Sequence, residues 1–349
     1  MIQELGVEQF LRQSPIIIDV RSPKEYESGH IPFAVNLPLF SNEERALIGT
    51  IYKAQGKQAA ILEGLDIVGP RMSQILQAIR ALGDYSKVGL HCWRGGKRSS
   101  SVAWLLALYG LEVYLLQGGY KKFRQFVLNI FSEKLGYIIL GGKTGSGKTI
   151  ILELLKQQGQ AAINLEAIAC HKGSAFGFIG EKEQPTQEQF ENELGMEIFK
   201  CLHRSIIWLE DESRFIGRRF IPNNLFLQMR QSPVIYLDIP LEVRIEMLVQ
   251  NYGRAEVSLL EQGIEKLQKR LGGLRTKAAK SALNRGDLYT TCQILLEYYD
   301  KTYEYGLAQR DENKVIKLSF ACFNPNEIVS TLLEIVKEKS LIQEWKKFV

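Results

Sequence analysis

The sequence has no apolar run long enough to span a membrane, no signal-peptide pattern at its start, and no regular spacing among its five cysteines. The first two absences argue against a membrane or secreted protein and the third against a disulfide framework, so free thiols in a reducing, cytoplasmic setting are expected. Cys170-His171 and Cys201 with His203 lack the paired spacing of zinc ligands, and no metal cage built by protein side chains alone is expected. A Gly-, Ser- or Pro-rich linker is missing too. The 349 residues, enough for two domains with their own cores, are therefore expected to form docked rather than tethered domains. Nor is there a strong charge of one sign: the net charge is +5, with 24% charged and 45% hydrophobic residues, as in ordinary soluble proteins. The excess is nevertheless concentrated. Residues 254–285 carry eight basic and three acidic side chains, an imbalance equal to that of the whole chain, and Arg275, Lys277 and Arg285 are candidate phosphate contacts there.

What is present is an alternation of strand and helix patterns, which argues for parallel sheets. Residues 2–11 read as a short amphipathic helix, residues 16–18 as a buried strand, and Ser22 as the cap of a short helix. Strands are expected at 34–37, 88–90 and 113–116, and helices at 41–53, 72–82, 99–109 and 120–131. Between the third strand and its helix lies His91-Cys92-Trp93-Arg94-Gly95-Gly96-Lys97-Arg98-Ser99. A cysteine on a strand-to-helix turn sits among backbone N–H groups at the positive end of a helix, a setting that suits a sulfur nucleophile.

The run Asp19-Val20-Arg21, Glu25-Tyr26, Gly29-His30-Ile31-Pro32, Ala34, Asn36 and Pro38, followed by a loop cysteine, resembles a rhodanese domain. That resemblance implies a chalcogen carried on Cys92, with Arg94, Gly95, Gly96, Lys97, Arg98 and Ser99 forming its loop. The spacing of Cys92, Gly95 and Arg98 also matches the signature of cysteine-dependent phosphatases. The loop from Cys92 to Arg98 has seven residues, against six in ordinary rhodanese sulfurtransferases, and the wider loop suits a phosphate-sized group. No aspartic general acid of the kind a phosphatase needs declares itself.

A second motif follows a domain boundary placed near residue 133. An apolar strand at 137–140 runs into Gly142-Lys143-Thr144-Gly145-Ser146-Gly147-Lys148-Thr149, and residues 150–157 continue as a helix. This is a complete P-loop in the context it requires. Gly142, Gly145 and Gly147 let backbone N–H groups face a diphosphate or a nucleotide, Lys148 adds a point charge, and Thr149 suits magnesium. A strand at 205–209 ending in Glu210-Asp211-Glu212 has the form of a Walker B strand, with Glu210 and Asp211 as its candidate carboxylates. Another strand is expected at 234–237. Helices are expected at 241–250, through the basic stretch and at 287–305, with a last strand at 315–318 and a closing helix at 326–337. The fold class read from this order is α/β: an N-terminal rhodanese-like parallel-sheet domain over 1–133, then a P-loop NTPase-like α/β domain over 134–349 with a helical C-terminal part and a basic extension at about 241–310.

The fusion of these two motifs resembles the tRNA 2-selenouridine synthase family. The resemblance extends to Leu165-Glu166, His171-Lys172-Gly173-Ser174, Phe176-Gly177, Gln184-Pro185, Phe190-Glu191, Glu210-Asp211-Glu212-Ser213-Arg214 and Ile216-Gly217. It implies a transferase that replaces the sulfur of wobble 2-thiouridine in tRNA with selenium from selenophosphate, after S-geranylation by geranyl diphosphate. Magnesium at Thr149 would accompany the diphosphate. A sulfurtransferase or phosphatase fused to a nucleotide-binding module is the alternative on motifs alone. Neither a membrane nor DNA is expected as a partner.

Overall fold

Both sheets are wholly parallel, and in each the chemistry-bearing loops leave the carboxyl ends of strands, where open α/β sheets place their sites. The computed structural model describes residues 1–338 and resolves the chain into two units, residues 1–130 with 191–196 and residues 131–190 with those from 197 on. The fragment 191–196 groups with the first unit although sequence order assigns it to the second. Fully buried Asn192 donates to the Tyr120 hydroxyl at 2.8 Å and to the His30 carbonyl at 2.9 Å, pairings across more than seventy residues that no local pattern shows.

The first unit contains strands β1 (Ile2–Leu5), β2 (Ile17–Asp19), β3 (Val35–Asn36), β4 (Lys87–His91) and β5 (Glu112–Leu116), in the order β1-β5-β4-β2-β3. Residues 2–11 are therefore not one helix: β1 occupies the first part and a helix, Val7–Gln13, the rest. Ile2 to Leu5 pair with Val113 to Leu116 at the sheet edge, so a distant partner, not local amphipathicity, sets their conformation. A helix at Lys57–Val68, bracketed by Gly56 and Gly69, also escapes the sequence pattern. Helices on the sheet bury β4 and β5 almost completely, which is why they read as apolar runs. Ile18, Val88, Leu90, Val102, Leu106 and Val113 form the centre of this core.

The second unit contains β6 (Tyr137–Gly142), β7 (Ala162–Ile163), β8 (Ile207–Glu210), β11 (Val234–Asp238) and β12 (Val315–Ser319), in the order β12-β11-β6-β8-β7; a separate hairpin joins β9 (Phe215–Ile216) to β10 (Arg219–Phe220). Ile138, Leu140, Ile151, Leu155, Trp208 and Ile235 fill its sheet core. Helices Leu241–Tyr252, Val257–Leu271, Gly273–Asn284 and Leu288–Leu307 build the expected helical part around a second cluster that includes Phe176, Ile264, Leu267, Leu283 and Leu295. Among the described residues, no helix is long and apolar enough to cross a membrane.

One ion pair anchors the first unit. Asp19 and Arg21 are both fully buried. The guanidinium bonds the carboxylate at 2.6 to 3.0 Å, donates to the Gly29 carbonyl at 2.8 Å, and lies 3.7 Å from the centre of the Tyr120 ring. A buried pair of this kind contributes little relative to an apolar replacement of both partners, but removing one leaves an uncompensated charge. Arg21→Leu is expected to lower the stability of the first unit by roughly 3–5 kcal/mol, read by urea unfolding, whereas a loss under 1 kcal/mol would mean that Asp19 finds another partner.

Candidate functional site

The cysteine loop begins where β4 ends. Cys92 is buried at 3% exposure, and its Sγ accepts the Gly96 N–H at 3.3 Å and lies 3.2 Å from the Ser99 hydroxyl. The helix Lys97–Leu108 starts immediately beyond, with Gly96 as its N-cap, so the sulfur stands at a helix N-terminus as the spacing requires. The loop is clamped from below: the Tyr120 and Lys121 N–H groups donate to the Cys92 and Trp93 carbonyls, each at 2.9 Å. Gly119 makes this approach possible. Its φ is +60°, and a Cβ there would stand 2.3 Å from the Cys92 carbonyl oxygen.

The loop cations divide. Arg94 and Lys97 are exposed around the rim with Gly95 and Gly96 between them, while Arg98 makes a two-pronged bond to Glu25 at 2.6 and 3.2 Å. The Arg98 fork is thus directed first to a carboxylate of its own chain, and Glu25 sits low in its titration because that guanidinium offsets the cost of burying it. Glu25 in turn accepts the Ser22 N–H at 3.1 Å, closing the start of the helix Pro23–Ser28. His91 is no acid–base group at neutral pH: complete burial pushes its pKa down to about 4, against the attraction of Asp19 at 3.7 Å.

In the second unit, Gly142, Gly145 and Gly147 form the loop between β6 and the helix Lys148–Gln157. Gly147 is left-handed with φ +75°, and a Cβ there would meet the Phe323 ring at 2.3 Å. The Lys148 ammonium donates to the Gly142 carbonyl at 2.9 Å and the Thr149 hydroxyl donates to Glu166 at 3.3 Å. Glu166 belongs to a group of three carboxylates with Glu210 and Glu212, one oxygen from each within 4.8 Å of the others. Burial is the main cause that raises all three acids above the usual carboxylate range, Glu210 well above it and Glu212 to about 8. Repulsion from Glu166 adds to the rise at Glu210 and Glu212, and Lys148 counters part of the rise at all three. One oxygen of Glu210, a residue 1% exposed, has no hydrogen-bond partner among the described residues. Oxygen donors held this way suit a hard divalent cation.

The expected acid pair, Glu210 and Asp211, does not act together. A tight turn stands here, with the Glu212 N–H donating to the Glu210 carbonyl at 2.9 Å just beyond the end of β8, and it leaves Glu210 and Glu212 beside Glu166 while Asp211 turns away. Asp211 instead accepts from the Tyr303 hydroxyl at 2.9 Å and pairs with Arg310, and Tyr303 also accepts the Gly142 N–H at 2.8 Å. Asp211 is thereby a brace for the P-loop backbone. Glu212 stands in the acidic run but outside the candidate pair, and Glu166 was marked only by the family resemblance, through Leu165-Glu166; it comes from the short helix Leu165–Ala169 after β7.

The basic stretch forms two helices, and part of its charge is neutralised locally. Lys280 pairs with Glu265 and Glu261, and Arg275 with Glu297 at 3.3 Å. Arg275, Lys277 and Arg285 are all exposed, but Arg275 and Lys277 stand about 200° apart around one helix and do not form a single face.

Comparison with known proteins places both units. The family model described as the tRNA 2-selenouridine synthase AAA domain matches residues 135–321, and the rhodanese-like domain matches residues 7–126. A tRNA 2-selenouridine synthase of Nitrosomonas eutropha is 32% identical over 360 residues, covering 88% of this chain and 92% of its own. One from Psychromonas ingrahamii is 32% identical, covering 91% and 94%, and one from Bdellovibrio bacteriovorus is 36% identical, covering 89% and 94%.

His91 makes the first unit acid-sensitive. Its folded pKa lies below its unfolded value, so its contribution is complete above pH 6.5 and is lost as pH falls toward 4, by up to roughly 3 kcal/mol. Urea unfolding at pH 7 and pH 5 is expected to show a fall that His91→Gln largely removes; an undiminished fall in the variant would assign it to other groups.

Proposed function

The chain belongs to the tRNA 2-selenouridine synthase family, and from that membership we propose that it replaces the sulfur of wobble 2-thiouridine in tRNA with selenium, by way of an S-geranyl intermediate. The observation that supports two stages is the presence in one chain of two different anion sites. One is a sulfur at a helix N-terminus; the other is a P-loop faced by carboxylates.

In the first stage the thiocarbonyl sulfur attacks C1 of geranyl diphosphate. A C–S bond forms, the C1–O bond breaks, diphosphate leaves with the electron pair, and the base loses its N3 proton. Lys148 and the N–H groups of residues 142–149 bind the diphosphate and stabilise the charge it gains. Thr149, Glu166, Glu210 and Glu212 would hold magnesium, which when bound neutralises charge on that leaving group. In the second stage the Cys92 thiolate adds at C2 and geranylthiolate departs, a better leaving group than sulfide. The selenium of selenophosphate then displaces the Cys92 thiolate from C2, and water takes the phosphoryl group as the Se–P bond breaks, releasing orthophosphate. Arg94, Lys97 and the loop N–H groups hold the donor's phosphate, while Arg98, engaged by Glu25, positions the loop.

The stages separate genetically. Lys148→Ala is expected to abolish S-geranylated tRNA, and Cys92→Ser to lose selenouridine while retaining the S-geranyl product, both read by nucleoside mass spectrometry of digested tRNA. Normal geranylation by the Lys148 variant, with nucleotide turnover lost, would instead make the P-loop a nucleotide site. For tRNA binding, changing Arg275, Lys277 and Arg285 together to Ala is expected to lower the slope of log affinity against log salt by roughly 2. An unchanged slope would remove these residues from the interface.

A further inference from the structure

The chain leaving the acidic run of the second unit enters a short hairpin that none of the roles above uses, β9 (Phe215–Ile216) and β10 (Arg219–Phe220), joined through Gly217 and Arg218. Residues 214–220 read Arg-Phe-Ile-Gly-Arg-Arg-Phe, three arginines and no acid. A two-stranded hairpin of this length is marginal by itself, and two glutamine side chains hold it. Gln187 accepts the Phe220 N–H at 3.0 Å and donates to the Phe220 carbonyl at 2.8 Å; Gln184 accepts the Arg218 N–H at 2.7 Å and donates to the Ile216 carbonyl at 3.0 Å. At the turn Gly217 has φ +61°, and a Cβ there would stand 2.3 Å from the Gln184 oxygen and 2.8 Å from the His171 ring. The His171 N–H donates to the Glu166 carbonyl at 3.0 Å, so the hairpin adjoins the carboxylate group of the P-loop. Its two faces differ. Ile216 and Arg219 pair on the inner face, Ile216 fully buried and Arg219 half-buried, while Phe215 and Phe220 pair on the outer face, 59% and 38% exposed. Residues directly opposite on two strands have neighbouring side chains, so both rings are presented on one surface. Arg214, next to Phe215 in sequence, and Arg218, at the turn, are exposed, and no acid pairs with any of the three arginines among the described residues. Arg275 differs, since Glu297 already offsets its charge.

We infer that this hairpin takes unpaired nucleotides of the tRNA, with Phe215 and Phe220 stacking on exposed bases and Arg214 and Arg218 holding the phosphates between them. This rests on the chain acting on tRNA, as proposed above. Unpaired cations close together repel one another unless an anion offsets them, and exposed rings gain only from a partner that covers them. Single-stranded RNA supplies both at once. Its bases stack on aromatic side chains, whereas in a duplex the base faces are already covered, so a loop and not a helix is the partner. The wobble base lies in such a loop and has to reach the P-loop site, beside which the hairpin stands. An anionic membrane is a poorer fit, because the rings are carried on two-residue strands and not on a long amphipathic helix that buries a whole apolar face among lipids.

The test uses the full chain and two fluorescent RNAs with the same stem, one closed by a loop carrying 2-thiouridine and one ending blunt, with affinity read by anisotropy across a salt series. The wild type is expected to bind the looped RNA more tightly. Changing Phe215 and Phe220 together to Ala is expected to weaken looped RNA at least ~20-fold with an unchanged salt slope and to leave the blunt duplex unaffected, while changing both to Trp retains the affinity. Changing Arg214 and Arg218 together to Ala is expected to lower the slope of log affinity against log salt by roughly 1.4. Ultraviolet crosslinking of the unsubstituted chain, which no folding defect can confuse, is expected to attach a loop nucleotide to Phe215 or Phe220. Undiminished binding of looped RNA by the alanine pair, with crosslinks elsewhere, would overturn the hairpin's role while leaving tRNA as the substrate. Loss of binding to vesicles of anionic lipid, and not to RNA, in the same pair would assign the rings to a membrane instead. Failure of the wild type to bind either RNA or to modify tRNA would overturn both readings.

Discussion

A tight turn at the end of β8, closed by the Glu212 N–H on the Glu210 carbonyl at 2.9 Å, divides the three consecutive acids Glu210, Asp211 and Glu212 between two tasks. Two join Glu166, which accepts from the Thr149 hydroxyl. The middle one turns toward Arg310 and Tyr303, and through Tyr303 it holds the Gly142 N–H at the root of the P-loop. The brace extends through the helix that carries Tyr303. Asp300 on the same helix makes a two-pronged bond to buried Arg244, whose guanidinium also donates to the Thr144 carbonyl at 3.1 Å. The P-loop is thus held by the helical part as well as by its own glycines, and a disturbance of that part is transmitted to the loop backbone.

The carboxylate cluster is costly as built. Three acids stand at close range, and burial raises the affinity of each for protons. Such an arrangement is at odds with stability alone and consistent with a site that gains a cation, since a divalent ion removes the repulsion and satisfies the orphaned oxygen of Glu210.

A different economy governs the cysteine loop. Its cations are not a uniform anion trap: Arg98 is held by Glu25, a residue 73 positions earlier, and only Arg94 and Lys97 are left at the rim. The buried Asp19–Arg21 pair, with Tyr120 beneath the guanidinium, fixes the floor on which the loop rests through the Tyr120 N–H. Rigidity here comes from a buried, multiply bonded ion pair inside the unit, which keeps the sulfur aimed without requiring long side chains around it.

The sequence alone was enough to determine two strand–loop–helix sites, the parallel α/β class and the residues of both loops, because these depend on spacing within about ten residues, where glycine conformation, helix termini and strand burial are local properties. It misjudged residues 2–11, overlooked the helix at Lys57–Val68 and took Asp211 for a partner of Glu210. Tertiary structure decided what local spacing cannot carry: Glu166 beside Glu210 across 44 positions and Glu25 on Arg98 across 73. Each of these is a pairing of groups brought together only when apolar faces bury one another, and the identity of the partner is settled by packing and charge, not by neighbours in the chain.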